Sequence, residues 1–341
     1  MFDQKVVLRQ TADADLECQG KSKPRTPCPA CPACPSYPTD VTIPLPPGAF
    51  QRVVHLNGVM SLLHLTIAVT TLALGNLDLK QSVYFASINV LTLGGGSSNE
   101  EPSSGPGEPE SWSLAPGQPV EAGRVYLTWL TFSFFAVTSL FHALPVLSDR
   151  YRCFYRDSLE RCYWFPRWLE YSITTPIMVG VLCFSLGVLE VLVIIAAMVL
   201  MSTCMFFGFM SELIYRPASP ERYVYNPSKS IFPWLANIAG VVPYVGSWFL
   251  LLSQSLPLFG NTGLLWSERV PDFVLVIVIS EFALFTSFWF IQLYTITQPP
   301  TFFWKGEVAF IIASLASKAT LGALVLAFVL MLGSVEEAYS A

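Results

Sequence analysis

The sequence predicts an all-α integral membrane protein, seven transmembrane helices in one bundle with a short β-ribbon in the first extracellular loop. Three observations carry this. The 341-residue chain is 53% hydrophobic and only 13% charged, against about 25% charged in ordinary soluble domains, and its mean hydropathy is +0.52. Seven stretches each reach the roughly 20 mainly apolar residues that a membrane-spanning helix needs. Lysine and arginine are sorted to one side of those stretches, as the positive-inside rule requires.

The predicted spans are Val53–Gly75, Val125–Leu147, Leu159–Leu186, Leu189–Ile214, Ile231–Leu256, Pro271–Ile296 and Val308–Gly333. Gly187 and Glu190 mark the break between the third and fourth, the hardest pair to separate. Residues 1–50 form a Pro/Cys-rich tail, expected to be disordered, and residues 51–335 form the seven-helix domain. The tail holds Cys28, Cys31 and Cys34 in C-x-x-C spacing. Proline surrounds them and no histidine is near, so a disordered tail is favoured over a zinc site, which needs four ligands. No metal is expected elsewhere. The loop 76–123 opens with "QSVYFASINVLTL", whose β-branched and aromatic residues predict the ribbon. It continues as the linker-like "GGGSSNEEPSSGPGEPESW".

Of the nineteen Lys and Arg, fifteen fall on one side. They are Lys5, Arg9, Lys21, Lys23, Arg25 and Arg52 in the tail, Arg150, Arg152, Arg156, Arg161 and Arg167 after span 2, Arg216, Arg222 and Lys229 after span 4, and Lys305 before span 7. Lys80, Arg124 and Arg269 lie opposite. The expected topology therefore has the N-terminus in the cytoplasm and the C-terminus outside. Lipid is the expected surrounding, and no nucleic-acid partner or enzymatic activity is expected.

The nineteenth charge is Lys318, alone in the seventh span. A lysine at bilayer depth costs roughly 2.5–3.5 kcal/mol on insertion scales. It can pair with a buried carboxylate as structure, relay ions, or act as a covalent anchor, because a desolvated amine forms Schiff bases with aldehydes. The third span offers a partner in "RWLEYSITTPIMVGVL". Glu170 lies three residues after Arg167 and four before Thr174, which puts the three on one helical face. Ser314 precedes Lys318 by four and shares its face. A plain Glu170–Arg167 pair is the competing reading. His64 in the first span and His142 in the second add polar groups that face a bundle interior more often than lipid. Glu281 in span 6 and Glu212 near the end of span 4 are further intramembrane acids.

Seven helices with a lysine in the last resemble a retinal protein, and "RWLEYSITTP" resembles the third-helix motif of microbial rhodopsins. The departures are specific. Ser314 stands where those proteins carry an aspartate, "EFALFTSFWFIQLY" lacks their helix-6 Trp-x-x-Tyr-Pro signature, and Val181 stands at the proton-donor position of the pumps. Those departures, with "RWLEYS", "SLASK", the two histidines and the inverted topology, resemble the heliorhodopsin family over about Arg52 to Gly333.

The resemblance implies all-trans retinal on Lys318 as a protonated Schiff base, with Glu170 as counterion. It implies a pocket that includes Ser314, Thr174, Tyr171, Met205, Phe206 and Phe285, and a proton network of His64, His142 and Glu281. It further implies a homodimer and a slow photocycle feeding an unidentified signalling partner. Two alternatives stand beside this: a light-gated proton channel or transporter, and a non-photochemical seven-helix transporter or receptor with a structural Lys–Glu pair.

Overall fold

The computed structural model describes residues 41–93, 111–224, 231–259 and 272–330. The predicted Cys-rich tail up to residue 40, the Gly/Ser/Pro linker at 94–110 and the C-terminal residues from 331 lie outside the described residues. Eight α-helices appear among the described residues: α1 Ala49–Leu74, α2 Leu127–Leu147, α3 Asp149–Glu160, α4 Phe165–Ser185, α5 Val191–Ile214, α6 Phe232–Phe259, α7 Asp272–Thr297 and α8 Phe303–Val325. A π-helical turn, Leu326–Leu330, extends α8.

Six of these are long and apolar enough to cross a membrane; α4 is not among them. Its own sequence explains why. Fifteen of its twenty-one residues are buried, among them Arg167, Glu170 and Thr174. It packs against α2, α5, α7 and α8. A helix wrapped by other helices needs no apolar stripe for lipid, so its mean hydropathy falls. α5 is the opposite case, with only 17% of its most apolar window buried.

The boundaries follow local chemistry. The predicted third span begins too early: α3 is a separate short helix, and the chain turns at Cys162, which has φ 59°, before Pro166 seats the first turn of α4. Ser148 caps α3 by accepting from the Tyr151 N–H at 3.3 Å. Arg152 from α3 reaches back to the last carbonyls of α2, donating to Pro145 O at 2.9 Å and Val146 O at 2.7 Å. Gly187, with φ 71°, ends α4 in a left-handed turn, and Val188 N–H donates to Cys183 O at 2.8 Å across it. Inside α4, Pro176 has no N–H for the Ser172 carbonyl, and Ser202 Oγ of α5 donates to that oxygen instead, at 2.9 Å. The seventh predicted span starts too late. α8 begins five residues earlier, because Lys305 and Glu307 do not interrupt it. The predicted tail ends early as well: Ile43 is buried and its N–H donates to Glu160 O at 2.7 Å.

Between α1 and α2 the chain forms β1 Lys80–Phe85, β2 Ile88–Leu93, β3 Ser111–Pro116 and β4 Val120–Tyr126. β1 and β2 do not pair with each other. β1 pairs antiparallel with β4, and β2 with β3, so two successive ladders enclose the linker. Tyr84 N–H donates to Leu189 O at 2.9 Å, tying the base of this arm to the α4–α5 turn. A small hairpin, Pro217–Ser219 with Arg222–Tyr223, follows α5.

α1 lies against α2 and α8, α5 against α6, and α7 against α8. One large apolar cluster, including Phe134, Leu182, Ile277 and Leu321, fills the end near the β-arm. A second, including Phe50, Tyr155, Trp164 and Phe303, fills the other end. The polar residues of interest sit between them.

Candidate functional site

α4 and α8 bring Glu170 and Lys318 together across 148 residues of sequence. Lys318 Nζ donates to Glu170 Oε1 at 2.5 Å and to Ser314 Oγ at 3.0 Å. Glu170 Oε1 also accepts from Thr138 Oγ1 at 2.7 Å and from Thr174 Oγ1 at 3.0 Å. Lys318 and Glu170 are 2% and 3% exposed. A buried charge pair repays its desolvation only when further hydrogen bonds satisfy it, and here three hydroxyls do so. The Tyr171 ring lies 5.3 Å from Nζ, and its hydroxyl donates to Phe310 O at 3.1 Å.

Glu170 does not pair with Arg167. The Arg167 guanidinium binds Glu212 of α5 and Glu307 of α8 instead, with the Phe310 ring 4.2 Å beneath it. The same helix face therefore serves two ion-pair systems one turn apart. Glu307 Oε1 accepts from Tyr155 OH at 2.8 Å. Tyr155 sits on α3, outside the apolar helices, and burial beside that carboxylate pushes its phenol well above the usual range, so it remains a donor. Asn57 Nδ2 donates to Tyr155 OH at 3.4 Å, and Asn57 Oδ1 lies 2.7 Å from His142 Nδ1. A cavity of about 30 Å³ is lined by Glu170, Arg167, Asn57, His142 and Glu307, room enough for a water molecule.

His64 and His142 stack with ring centroids 5.5 Å apart. His64 Nδ1 lies 2.8 Å from Met60 O and His142 Nδ1 lies against Asn57 Oδ1. Assigning Nδ1 as the donor to each oxygen leaves Nε2 of both neutral rings as a bare acceptor. Neither Nε2 has a hydrogen-bond partner among the described residues.

A second cavity, of about 280 Å³ and almost wholly apolar, opens from Lys318 and Ser314 and continues between α4, α5, α6 and α7. Tyr171, Met205 and Phe285 line it. Thr174 does not line it; its hydroxyl is spent on Glu170. Phe206 must be corrected. It is 57% exposed, because one residue beyond the inward Met205 the helix has turned by about 100°. Glu281 is fully buried and its carboxylate oxygens have no hydrogen-bond partner among the described residues, yet it lies outside this cavity. Ile277, Val278 and Phe285, its neighbours on the same α7 face, belong to the large apolar cluster.

Sequence reasoning missed Thr138, Asn57, Tyr155 and Glu307. Thr138 stands one turn before His142 on α2, a spacing that could have flagged it. Glu307 stands one residue ahead of the predicted seventh span, Val308–Gly333.

The family model of the heliorhodopsins matches residues 53–330, from α1 to the end of α8. The chain belongs to the heliorhodopsin family. No curated protein matches it. Heliorhodopsins bind retinal as their chromophore, and membership together with the apolar helices makes this a multi-pass membrane protein of the retinal-binding, light-sensing class. The residues present fit that group. The cavity is apolar and ringed by aromatic and methionine side chains, and it closes on a buried primary amine whose charge is already balanced.

Proposed function

We propose that this heliorhodopsin is a photosensor that carries all-trans retinal as a protonated Schiff base on Lys318, with Glu170 as its counterion. The Lys318–Glu170 contact inside the apolar cavity carries this reading. Bound there, retinal supplies a light-driven double-bond isomerisation beside the lysine nitrogen.

The chain's own residues do the rest. Thr138 and Thr174 hold Glu170 Oε1 against the nitrogen, and Ser314 offers that nitrogen a second oxygen. When the nitrogen is displaced, its proton loses its acceptor. His64 and His142 present two free Nε2 lone pairs, and His142 shares the small polar cavity with Glu170. They are the groups that take up and hold that proton. The chain Asn57–Tyr155–Glu307–Arg167 then links this region to α3 outside the apolar helices, a route by which a change in charge reaches a surface helix. Slow return of the proton fits a sensor, and a signalling partner would read the α3 side. α4 is the seventh span, the N-terminus is cytoplasmic by the positive-inside rule, and the protein works as a homodimer in lipid.

The test is colour. The full chain expressed with all-trans retinal should show a visible absorption band, and Lys318→Ala should be colourless. A visible band in Lys318→Ala removes the anchor assignment. No band in the wild type leaves the non-photochemical receptor or transporter.

One observation favours a second reading, light-gated proton conduction. Glu281 is a buried carboxyl group with no hydrogen-bond partner among the described residues, on a lipid-crossing helix, the kind of intramembrane acid that marks an ion path.

A further inference from the structure

Away from its Lys318–Ser314 end, the mostly apolar cavity brings two amides together at one corner. There Asn237 of α6 and Gln292 of α7 line it, 6% and 3% exposed. Both reach the fully buried Ser211 of α5: Asn237 Nδ2 donates to Ser211 Oγ at 2.8 Å and Gln292 Nε2 donates to it at 3.5 Å. Gln292 Oε1 has no partner among the described residues. Turned over, the amide would let Oε1 accept from the Ser211 hydroxyl and put Nε2 at the position Oε1 holds now. In the orientation described, one polar atom is unspent on a buried amide that lines the cavity. A buried amide oxygen left without a partner is costly unless a ligand uses it.

This corner is built by α5, α6 and α7, whereas Lys318 is on α8, and both line the same cavity. We propose that Gln292, backed by Ser211 and Asn237, is a hydrogen-bonding subsite for a hydroxyl group on the ring end of the chromophore, so that the cavity prefers ring-hydroxylated retinals to the unsubstituted one. This rests on the retinal reading above. A hydroxyl both donates and accepts, so it satisfies the amide in either orientation; a ketone would satisfy only one.

The experiment separates the ring from the covalent anchor. The full-length chain, made without retinal and held in lipid nanodiscs, is titrated with β-ionone and with 3-hydroxy-β-ionone, which lack the aldehyde. Quenching of tryptophan fluorescence is read, since Trp168 and Trp289 line the cavity. The hydroxylated ring should bind roughly fivefold tighter, as one neutral hydrogen bond gives. In Gln292→Met and Gln292→Leu that ratio should fall toward one. Thermal melting checks that the variants fold, and Asn237→Leu gives the same readout if they do not. Equal affinities in the wild type, or an unchanged ratio in folded variants, overturn the proposal and leave the corner to water. If neither ring binds and no visible band forms on adding retinal, the retinal reading fails and takes this proposal with it.

Discussion

Replacing Gly208 by alanine should disturb the chromophore cavity through a single neighbour. Gly208 lies on α5 where the Trp168 indole of α4 crosses it. A Cβ at 208 would stand 2.2 Å from Trp168 Cζ3, 2.4 Å from Cη2 and 2.9 Å from Cε3. Ordinary carbon–carbon contact begins near 3.5 Å, so the ring must retreat by about 1.3 Å. Trp168 is 6% exposed and packs edge-on against Tyr171 and Phe310, which leaves it nowhere to go without moving the wall beside Lys318. Overpacking of this kind costs about 1–3 kcal/mol. Gly208→Ala should therefore melt lower and shift the visible band. Trp168→Phe removes the two atoms in closest conflict, so the double variant should recover part of the loss, with a coupling of about 0.5–3 kcal/mol in a double-mutant cycle. Additive losses, or an alanine variant with wild-type melting and colour, would refute the argument.

Glu170→Gln removes the only carboxylate among the described residues that contacts the lysine nitrogen and leaves a buried cation held by hydroxyls, a loss of about 3–5 kcal/mol. A shifted band and reduced pigment yield are expected; an unchanged spectrum across pH places the counterion elsewhere. Alanine at both His64 and His142 should alter the recovery kinetics in flash photolysis while nearly preserving the dark colour, and identical kinetics would make them packing residues. Whole-cell patch clamp under illumination with a pH gradient decides between sensor and channel. The sensor reading expects no photocurrent; currents that reverse near the proton equilibrium potential and vanish in Glu281→Gln would establish conduction.

Much of this site was legible as spacing. Ser314 and Lys318 share a face because four residues make one turn, and Arg167, Glu170 and Thr174 do so for the same reason. Spacing within a helix says nothing about which helix lies opposite. The Thr138 contact, the choice of Glu212 and Glu307 over Glu170 as partners for Arg167, and the outward turn of Phe206 all depend on helix rotation and packing.

By itself, then, the sequence determined that this chain is a multi-span membrane protein with one lysine at bilayer depth and a few intramembrane carboxylates, Glu170 among them, that could meet it. Hydrocarbon excludes charge, so a lone charge within an apolar segment is informative without coordinates. Only the tertiary structure decided that α4 is the central helix, that two ion-pair systems one turn apart have different partners, and that Asn237 and Gln292 meet at the wall of one cavity. Burial is what decides these. A residue shielded by other helices is free of the lipid constraint that hydropathy measures, so the most functional helix of the bundle carries the weakest membrane signal.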